Sequence, residues 1–149
     1  MHILVAGLPV DCQLDIVFVL DESGSIGSTE FTQMKTFLSK LVGRLDIDSG
    51  STRVGLVTYA TTVRTRFNLN AYTTVASVQS AISRLTYSGG STNTAAALAH
   101  VRTSALTSAT GDRINVPNVV VLFTDGRSSN TSATQVCTIL KYLYISVTV

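Results

Sequence analysis

Short apolar runs recur along the chain at intervals that suit alternating strands and helices. They are Leu14–Leu20 (LDIVFVL), Val54–Tyr59 (VGLVTY) and Val119–Thr124 (VVVLFT), and the first and third end directly before an aspartate. Almost unbroken β-branched segments of this length predict strands of a parallel sheet that is covered on both faces. Val63–Phe67 alternates more and carries two arginines, which predicts a half-exposed edge strand.

Between these runs, apolar residues at three- and four-residue spacing predict amphipathic helices. The first stripe comprises Phe31, Met34, Leu38, Leu41, Val42 and Leu45, with Ser28 or Thr29 as its cap. The later predicted elements are a helix after Thr73-Thr74, an Ala-rich helix over Ala95–Leu106, a fourth stripe from Val136 to Leu143 and a strand at Tyr144–Val149.

This order of elements predicts an α/β fold of the Rossmann-like, doubly wound type. Its sheet is mostly parallel with one antiparallel edge strand, and helices cover both faces. In such folds ligands bind outside the carboxyl ends of the strands, at the point where the strand order reverses. Asp21 and Asp125 both follow predicted strand ends, so we expect a site there.

Composition narrows the class of protein. The chain has 149 residues, of which 45% are hydrophobic and 13% charged, which is typical of one globular domain with a large core. The net charge of +2, without a Lys/Arg run, argues against nucleic-acid binding. No apolar run reaches the roughly 18 residues of a membrane span. We predict an N-terminal extension or signal remnant at residues 1–11 and one domain at 12–149.

The segment after the first strand carries the candidate chemistry. Asp21, Ser23 and Ser25 lie two residues apart and can converge, because Gly24 and Gly27 allow a tight turn. One carboxylate and two hydroxyls form an oxygen-only donor set, which favours Mg²⁺, Mn²⁺ or Ca²⁺ over zinc. Two further oxygen donors, Thr92 and Asp125, stand in later loops.

Three segments together resemble the metal-ion-dependent adhesion site (MIDAS) of the von Willebrand factor A domain. They are Asp21–Ser25 (DESGS), Gly89–Thr94 (GGSTNT) and Thr124–Gly126 (TDG), and they occur in the family's order. The likeness continues through Arg53–Tyr59 (RVGLVTY) and covers roughly residues 12–149. DxSxS alone is a weak pattern, whereas all three segments at compatible strand positions are a strong one.

The resemblance implies a role for each donor. Ser23 and Ser25 would ligate the metal directly, and Thr92 would do so when a ligand is bound. Asp21 and Asp125 would act mainly through water, and an acidic side chain of a protein ligand would complete the coordination.

Around the metal we expect a rim of Glu22, Gly90 and Arg127, with Glu22 pointing to solvent. Asn130 begins an N-x-S/T sequon and is a glycosylation candidate.

The resemblance also implies departures from the family pattern. Family members run on through a helix, a strand and a final helix, which we expect to be missing after Val149. A cysteine at the position of Cys12 often pairs with one beyond that last helix in secreted members, whereas Cys137 is expected to be a buried thiol in a helix.

Three functions remain open. The first is an extracellular, secreted or cell-surface adhesion module whose divalent cation captures a Glu or Asp of a protein such as collagen or another matrix protein. The second is a structural matrix module that assembles independently of metal. The third is a Mg²⁺-dependent phosphohydrolase, disfavoured because Ser23 stands where a general-acid aspartate is needed. We therefore predict that the chain is not an enzyme.

Overall fold

The computed structural model describes residues 13–125 and the strand at 143–148. The predictions for residues 1–11, Cys12, Arg127, Asn130 and the helix around Cys137 lie outside the described residues. The described strands are β1 (Leu14–Asp21), β2 (Thr52–Tyr59), β3 (Val63–Phe67), β4 (Asn118–Thr124) and β5 (Leu143–Thr148). The α-helices in this part of the chain are α1 (Gly27–Val42), α2 (Val75–Ser83) and α3 (Thr94–His100).

Within the described residues the strands form one sheet in the order β3-β2-β1-β4-β5. β1 pairs in parallel with both β2 and β4, and β5 continues the parallel part beyond β4. β3 pairs with β2 in antiparallel orientation at the edge. The predicted mostly parallel sheet with one antiparallel edge strand is confirmed. The strand order reverses between β1 and β4, so the end of β1 is the switch point of the fold.

The strand sequences are apolar throughout because the central strands are buried on both faces. Ile16, Phe18 and Leu20 of β1 belong to a cluster that includes the buried residues of α1 and α2. Val17 and Val19 point the other way, into a cluster that includes Ala97 of α3. Successive strand residues face opposite sides, so each side of β1 requires its own apolar set. Helices on both faces of the sheet are therefore confirmed.

The helix starts differ from the prediction in one case. α2 begins after Thr74 as predicted, and the Thr74 side chain caps it by accepting a hydrogen bond from the Ser77 amide. The predicted caps of α1 are wrong, because the helix begins at Gly27 and the residue before it, Ile26, has no side-chain cap. The amide of Ile26 donates to the Ser23 carbonyl at 3.1 Å, so the preceding loop turns straight into the helix.

The Ala-rich segment is also shorter as an α-helix than predicted. α3 ends at His100, and Val101–Ala105 continues as a π-helical turn. The Leu106 amide donates to the Val101 carbonyl, five residues back, which shows the change of hydrogen-bond spacing. In the described part of the chain, no helix combines the length and apolarity needed to cross a membrane.

Candidate metal site

The loop that follows β1 brings three of the predicted donors together. The Ser23 amide donates to Oδ1 of Asp21 at 2.9 Å, and the Ser23 and Ser25 hydroxyl oxygens lie 3.1 Å apart. Asp21 and Ser23 are fully buried, whereas Ser25 is exposed. The carboxylate therefore lies at the base of the loop and the two hydroxyls lead from it towards solvent.

Asp21 is surrounded by hydroxyl donors from the neighbouring strands. Its Oδ2 accepts hydrogen bonds from Tyr59 of β2 at 3.3 Å and from Thr124 of β4 at 3.2 Å. Burial raises the pKa of the Asp21 carboxyl above its usual value, and the nearby charge of Asp125 acts in the same direction, while hydrogen bonds from Ser23 and Thr124 oppose the rise. The site thus holds a carboxylate whose negative charge is poorly compensated by the protein.

Tyr59 links Asp21 to the second predicted segment. Its hydroxyl accepts a hydrogen bond from Thr94 at 3.3 Å while it donates to Asp21. Burial raises the pKa of the Tyr59 hydroxyl, and the Asp21 carboxylate adds to that rise, so Tyr59 stays protonated and serves as a donor. The chain of hydroxyls joins the end of β1, the end of β2 and the start of α3.

The glycine loop lies directly against the first segment. The Gly24 amide donates to the Gly90 carbonyl at 2.8 Å, and the Gly89 amide donates to the Glu22 carbonyl at 3.0 Å. Gly90 has φ of +112°, and a Cβ at this residue would lie 2.6 Å from Oγ1 of Thr61, so only glycine suits the position. Thr92 lies in this loop, half-buried, two residues before the Thr94 that contacts Tyr59.

Asp125 is the first residue after β4, the strand that pairs with β1. Leu20 of β1 is opposite Phe123 of β4, so the two strands reach the same edge of the sheet at Asp21 and Asp125. Asp125 is half-buried, and its charge raises the pKa of Asp21. The structure therefore brings the described residues of all three predicted segments to the carboxyl end of β1, at the switch point.

One rim prediction is wrong. Glu22 does not point to solvent; it is fully buried, and its carboxylate pairs with Arg66 at 3.0 Å and Arg64 at 3.2 Å. The alternation that turns Asp21 and Ser23 towards the candidate site turns Glu22 the opposite way, towards the β2–β3 hairpin. Gly90 does lie beside the loop, and Arg127 is outside the described residues.

Sequence reasoning missed the hydroxyls that hold Asp21 in place. Tyr59 and Thr124 donate to Asp21, and Thr94 donates in turn to Tyr59. Each of the three lies at the end of a strand or the start of a helix. Thr94 and Thr124 stand inside the segments quoted above, so their presence there was a usable signal. Tyr59 had none beyond its place at the end of an apolar run, because its partner is 38 residues away.

The donor types suit a hard divalent cation. No group of three or more His, Cys, Asp or Glu side chains that could hold a metal occurs within the described ranges. A metal at this edge of the sheet would therefore need hydroxyl donors beside the carboxylates, and Ser23 and Ser25 present two of them side by side. An all-oxygen set of this kind suits Mg²⁺, Mn²⁺ or Ca²⁺.

Comparison with known proteins assigns the family. The family model of the von Willebrand factor type A (VWA) domain matches residues 15–149. The chain belongs to the VWA family. Among its curated relatives are human matrilin-3, 39% identical over 125 residues that make up 82% of this chain, and mouse matrilin-1, 42% identical over 116 residues that make up 76% of it. Human collagen alpha-1(XX) is 40% identical over 116 residues, 78% of this chain.

This VWA chain spans only part of those relatives. The matches cover 26% of matrilin-3, 23% of matrilin-1 and 9% of the collagen chain. These relatives are extracellular-matrix proteins, and the predicted extracellular location is confirmed.

Solved structures support the fold. Proximal thread matrix protein 1 from the mussel byssus superposes with a TM-score of 0.81 at 26% identity, covering 91% of this chain and 37% of its own. Another structure of the same mussel protein has a zinc-occupied MIDAS motif, with a TM-score of 0.81 over 91% of this chain and 38% of its own. A divalent metal at the MIDAS position of a VWA fold is thus directly observed in a structural neighbour.

Proposed function

We propose that this VWA domain is a divalent-cation-dependent adhesion module that captures a carboxylate of an extracellular protein. The observation that carries the proposal is the pair of Ser23 and Ser25 hydroxyls, 3.1 Å apart, above the buried Asp21 carboxylate. Two neutral donors leave more positive charge on a bound cation than two carboxylates would. A bound cation would supply that charge to an incoming acidic side chain.

The residues that would hold the cation are those predicted from the sequence. Ser23, Ser25 and Thr92 would contribute hydroxyl oxygens, and Asp21 and Asp125 would contribute carboxylates, mainly through water. We propose Mg²⁺ as the resident ion, with Mn²⁺ or Ca²⁺ as substitutes, because hard oxygen donors prefer hard cations. The zinc-occupied MIDAS of the mussel protein supports a divalent metal in general.

The protein's own contribution is to fix the donors before the cation arrives. Asp21 cannot rotate freely, since Tyr59, Thr124 and the Ser23 amide all donate to it. Tyr87 donates to the Ser23 carbonyl at 3.0 Å and so holds the middle of the loop as well. Preorganised donors favour binding because little side-chain freedom is lost when the ion binds.

The direct test is calorimetric titration of the 149-residue chain with Mg²⁺ and Mn²⁺. We expect one bound ion per chain, and at least a tenfold loss of affinity in Ser23→Ala and Asp125→Ala, about 1.4 kcal/mol or more. Ser49→Ala is the matched control, because Ser49 is exposed and lies beside Ser51, at the opposite end of β1. Absence of binding to the unaltered chain, or equal binding by all three variants, would contradict the proposal.

The second candidate is a matrix module that assembles without metal. The observation that favours it is the matrix origin of the relatives, the matrilins and a collagen chain. Association with a matrix partner or with itself that persists in EDTA would support this function. Association that is lost in EDTA and restored by Mg²⁺ would support the adhesion module.

We propose no catalytic role for the chain. Ser23 occupies the position two residues after Asp21 at which a phosphohydrolase of the alternative type would need an acid. Assaying the purified chain for Mg²⁺-dependent hydrolysis of a simple phosphate ester tests this directly, and we expect no turnover.

A further inference from the structure

Glu22 occupies an unusual place between two candidate metal donors. It lies between Asp21 and Ser23, yet its side chain is fully buried on the side of the loop that faces β2 and β3. A buried carboxylate in such a position is costly unless cations and hydrogen bonds compensate it. The side chains that compensate Glu22 come from β2 and from its antiparallel neighbour β3.

The main chain of Glu22 joins two donor segments. Its amide donates to the Tyr59 carbonyl at 2.8 Å, at the end of β2. Its carbonyl accepts from the Gly89 amide at 3.0 Å, in the loop that leads to Thr92. Any shift of Glu22 would therefore move the Asp21 loop and the glycine loop relative to each other.

The side chain of Glu22 is held by the edge hairpin. Nη2 of Arg66 contacts both carboxylate oxygens at 3.3 and 3.0 Å, and Nη1 of Arg64 contacts Oε1 at 3.2 Å. Thr58 donates to the same Oε1 and also accepts from Nε of Arg66 at 2.7 Å. We refer to Glu22, Thr58, Arg64 and Arg66 as the Glu22 cluster.

The Glu22 cluster carries more positive than negative charge. Two guanidinium groups face one carboxylate, so the net formal charge is +1, and the Arg64 side chain remains 48% exposed. Glu22 is one residue from Asp21, but the two arginines offset the effect of its negative charge at the candidate cation site. The cation is left to be balanced by Asp21, Asp125 and the partner's carboxylate.

We infer that the Glu22 cluster sets the cation affinity of the site and keeps the bound ion positive enough to attract an acidic partner. Glu22 is a positioning residue in this arrangement, since it acts through the loop and through its charge without contacting the ion. The inference rests on the proposed metal-dependent function. It predicts effects of opposite sign for Glu22 and its arginines, which simple loosening of the loop would not produce.

The experiment measures Mg²⁺ and Mn²⁺ affinity of the 149-residue chain and of Glu22→Gln, Arg64→Gln and the triple variant E22Q/R64Q/R66Q at low ionic strength. Glu22→Gln raises the cluster charge to +2, so we expect cation affinity to fall about fivefold. Arg64→Gln lowers the charge to zero, so we expect affinity to rise about twofold. The triple variant also has zero charge, and we expect its affinity to exceed that of Glu22→Gln.

Arg44→Gln is the matched control for loss of one positive charge. Arg44 is exposed and lies just after the C-terminal end of α1. The 16 residues of α1 span roughly 24 Å and lead away from the loop of Asp21–Ser25. We expect its affinity to match that of the unaltered chain. All differences should shrink as salt is added, because screening weakens charge effects at a distance.

Two outcomes would overturn the inference, and they separate it from the proposed function. In the first, the unaltered chain binds Mg²⁺ or Mn²⁺, but the cluster variants either all weaken binding or all leave it unchanged. The cluster then has no electrostatic role, and the proposed adhesion site stands. If the unaltered chain binds neither ion, the proposed function fails and this inference fails with it. Arg64→Gln keeps the test decisive if Glu22→Gln does not fold, since Arg64 is half exposed.

Discussion

At the scale of single residues, Asp21 shows why the site favours a bound cation: its negative charge is buried and only partly compensated by the protein. Its carboxylate is fully buried, and hydroxyls from Tyr59 and Thr124 replace only part of the lost hydration. The raised pKa of Asp21 means that the folded chain holds the proton of this carboxyl more tightly than the unfolded chain does. Without metal, the contribution of this group to stability is therefore greatest below the unfolded-state pKa of about 4 and is lost as the pH rises through the raised value.

Asp21→Asn tests this directly. In EDTA at neutral pH we expect the variant to be at least as resistant to urea as the unaltered chain, because the amide carries no charge to desolvate. In saturating Mg²⁺ we expect the order to reverse, because only the unaltered chain gains from binding. Equal destabilisation of the variant in both conditions would assign Asp21 a purely structural role.

At the scale of secondary-structure elements, one ion pair fixes the beginnings of the two strands that precede the site. Arg113, in the loop before β4, pairs with fully buried Asp15 of β1 at 2.6 Å. Its guanidinium also donates to the Ser51 carbonyl at 2.9 Å, just before β2. The registers that place Asp21 beside Tyr59 and Thr124 are thus supported from the far end of the sheet.

We predict that Arg113→Gln costs about 3 kcal/mol of unfolding free energy, because it leaves the Asp15 carboxylate buried without its cationic partner. Urea unfolding at constant Mg²⁺ measures this loss. The exposed Arg44→Gln is the control and should change stability by less than about 0.5 kcal/mol. A loss for Arg113→Gln no larger than that of the control would show that the pair is dispensable.

At the scale of the whole molecule, the candidate site joins segments far apart in sequence. The first donor segment starts at Asp21 and the last contains Asp125, so a cation held between them binds the folded chain and not the unfolded one. Such a ligand stabilises the fold by mass action. Metal binding should therefore be visible in global stability as well as in calorimetry.

We predict that Mg²⁺ at about one hundred times its Kd adds about 2.7 kcal/mol to the unfolding free energy. This corresponds to a rise in melting temperature of roughly 5–10 °C for a domain of this size. Thermal scans in Mg²⁺ and in EDTA measure the difference. Ser23→Ala, which we expect to bind the ion at least tenfold more weakly, should show no more than about half of it at the same Mg²⁺ concentration. Equal melting temperatures in both conditions for the unaltered chain would contradict a metal that bridges the segments.

The fold class explains why the candidate donors meet at one place. In a doubly wound sheet ligands bind at the carboxyl ends of the strands where the strand order reverses, and this chain has its candidate donors at that place. The solved neighbour with a zinc-occupied MIDAS shows that this architecture can hold a divalent ion. We propose that the choice of partner depends on the surface around the site, for which Gly90 and Arg127 stay the predicted rim residues.

The sequence by itself determined most of the described strands and helices, the doubly wound class and the three candidate segments. Those features depend on apolar periodicity and on short motifs, and both can be read from local sequence. Leu14–Ser25, for example, contains a complete apolar strand run followed by a complete DxSxS motif. The departures were local too: Ser28 and Thr29 lie inside α1 because the loop bonds directly into the helix.

Only the tertiary structure decided how Glu22 and Asp21 are used. Nothing near Glu22 in sequence shows that Arg64 and Arg66, more than forty residues away, bury and offset its charge. The same holds for Tyr59 on Asp21, because that contact requires β2 to be the parallel neighbour of β1. Periodicity predicts which face of a strand is apolar, but the polar contacts of the site follow from strand order, and strand order is set by packing across the whole sheet.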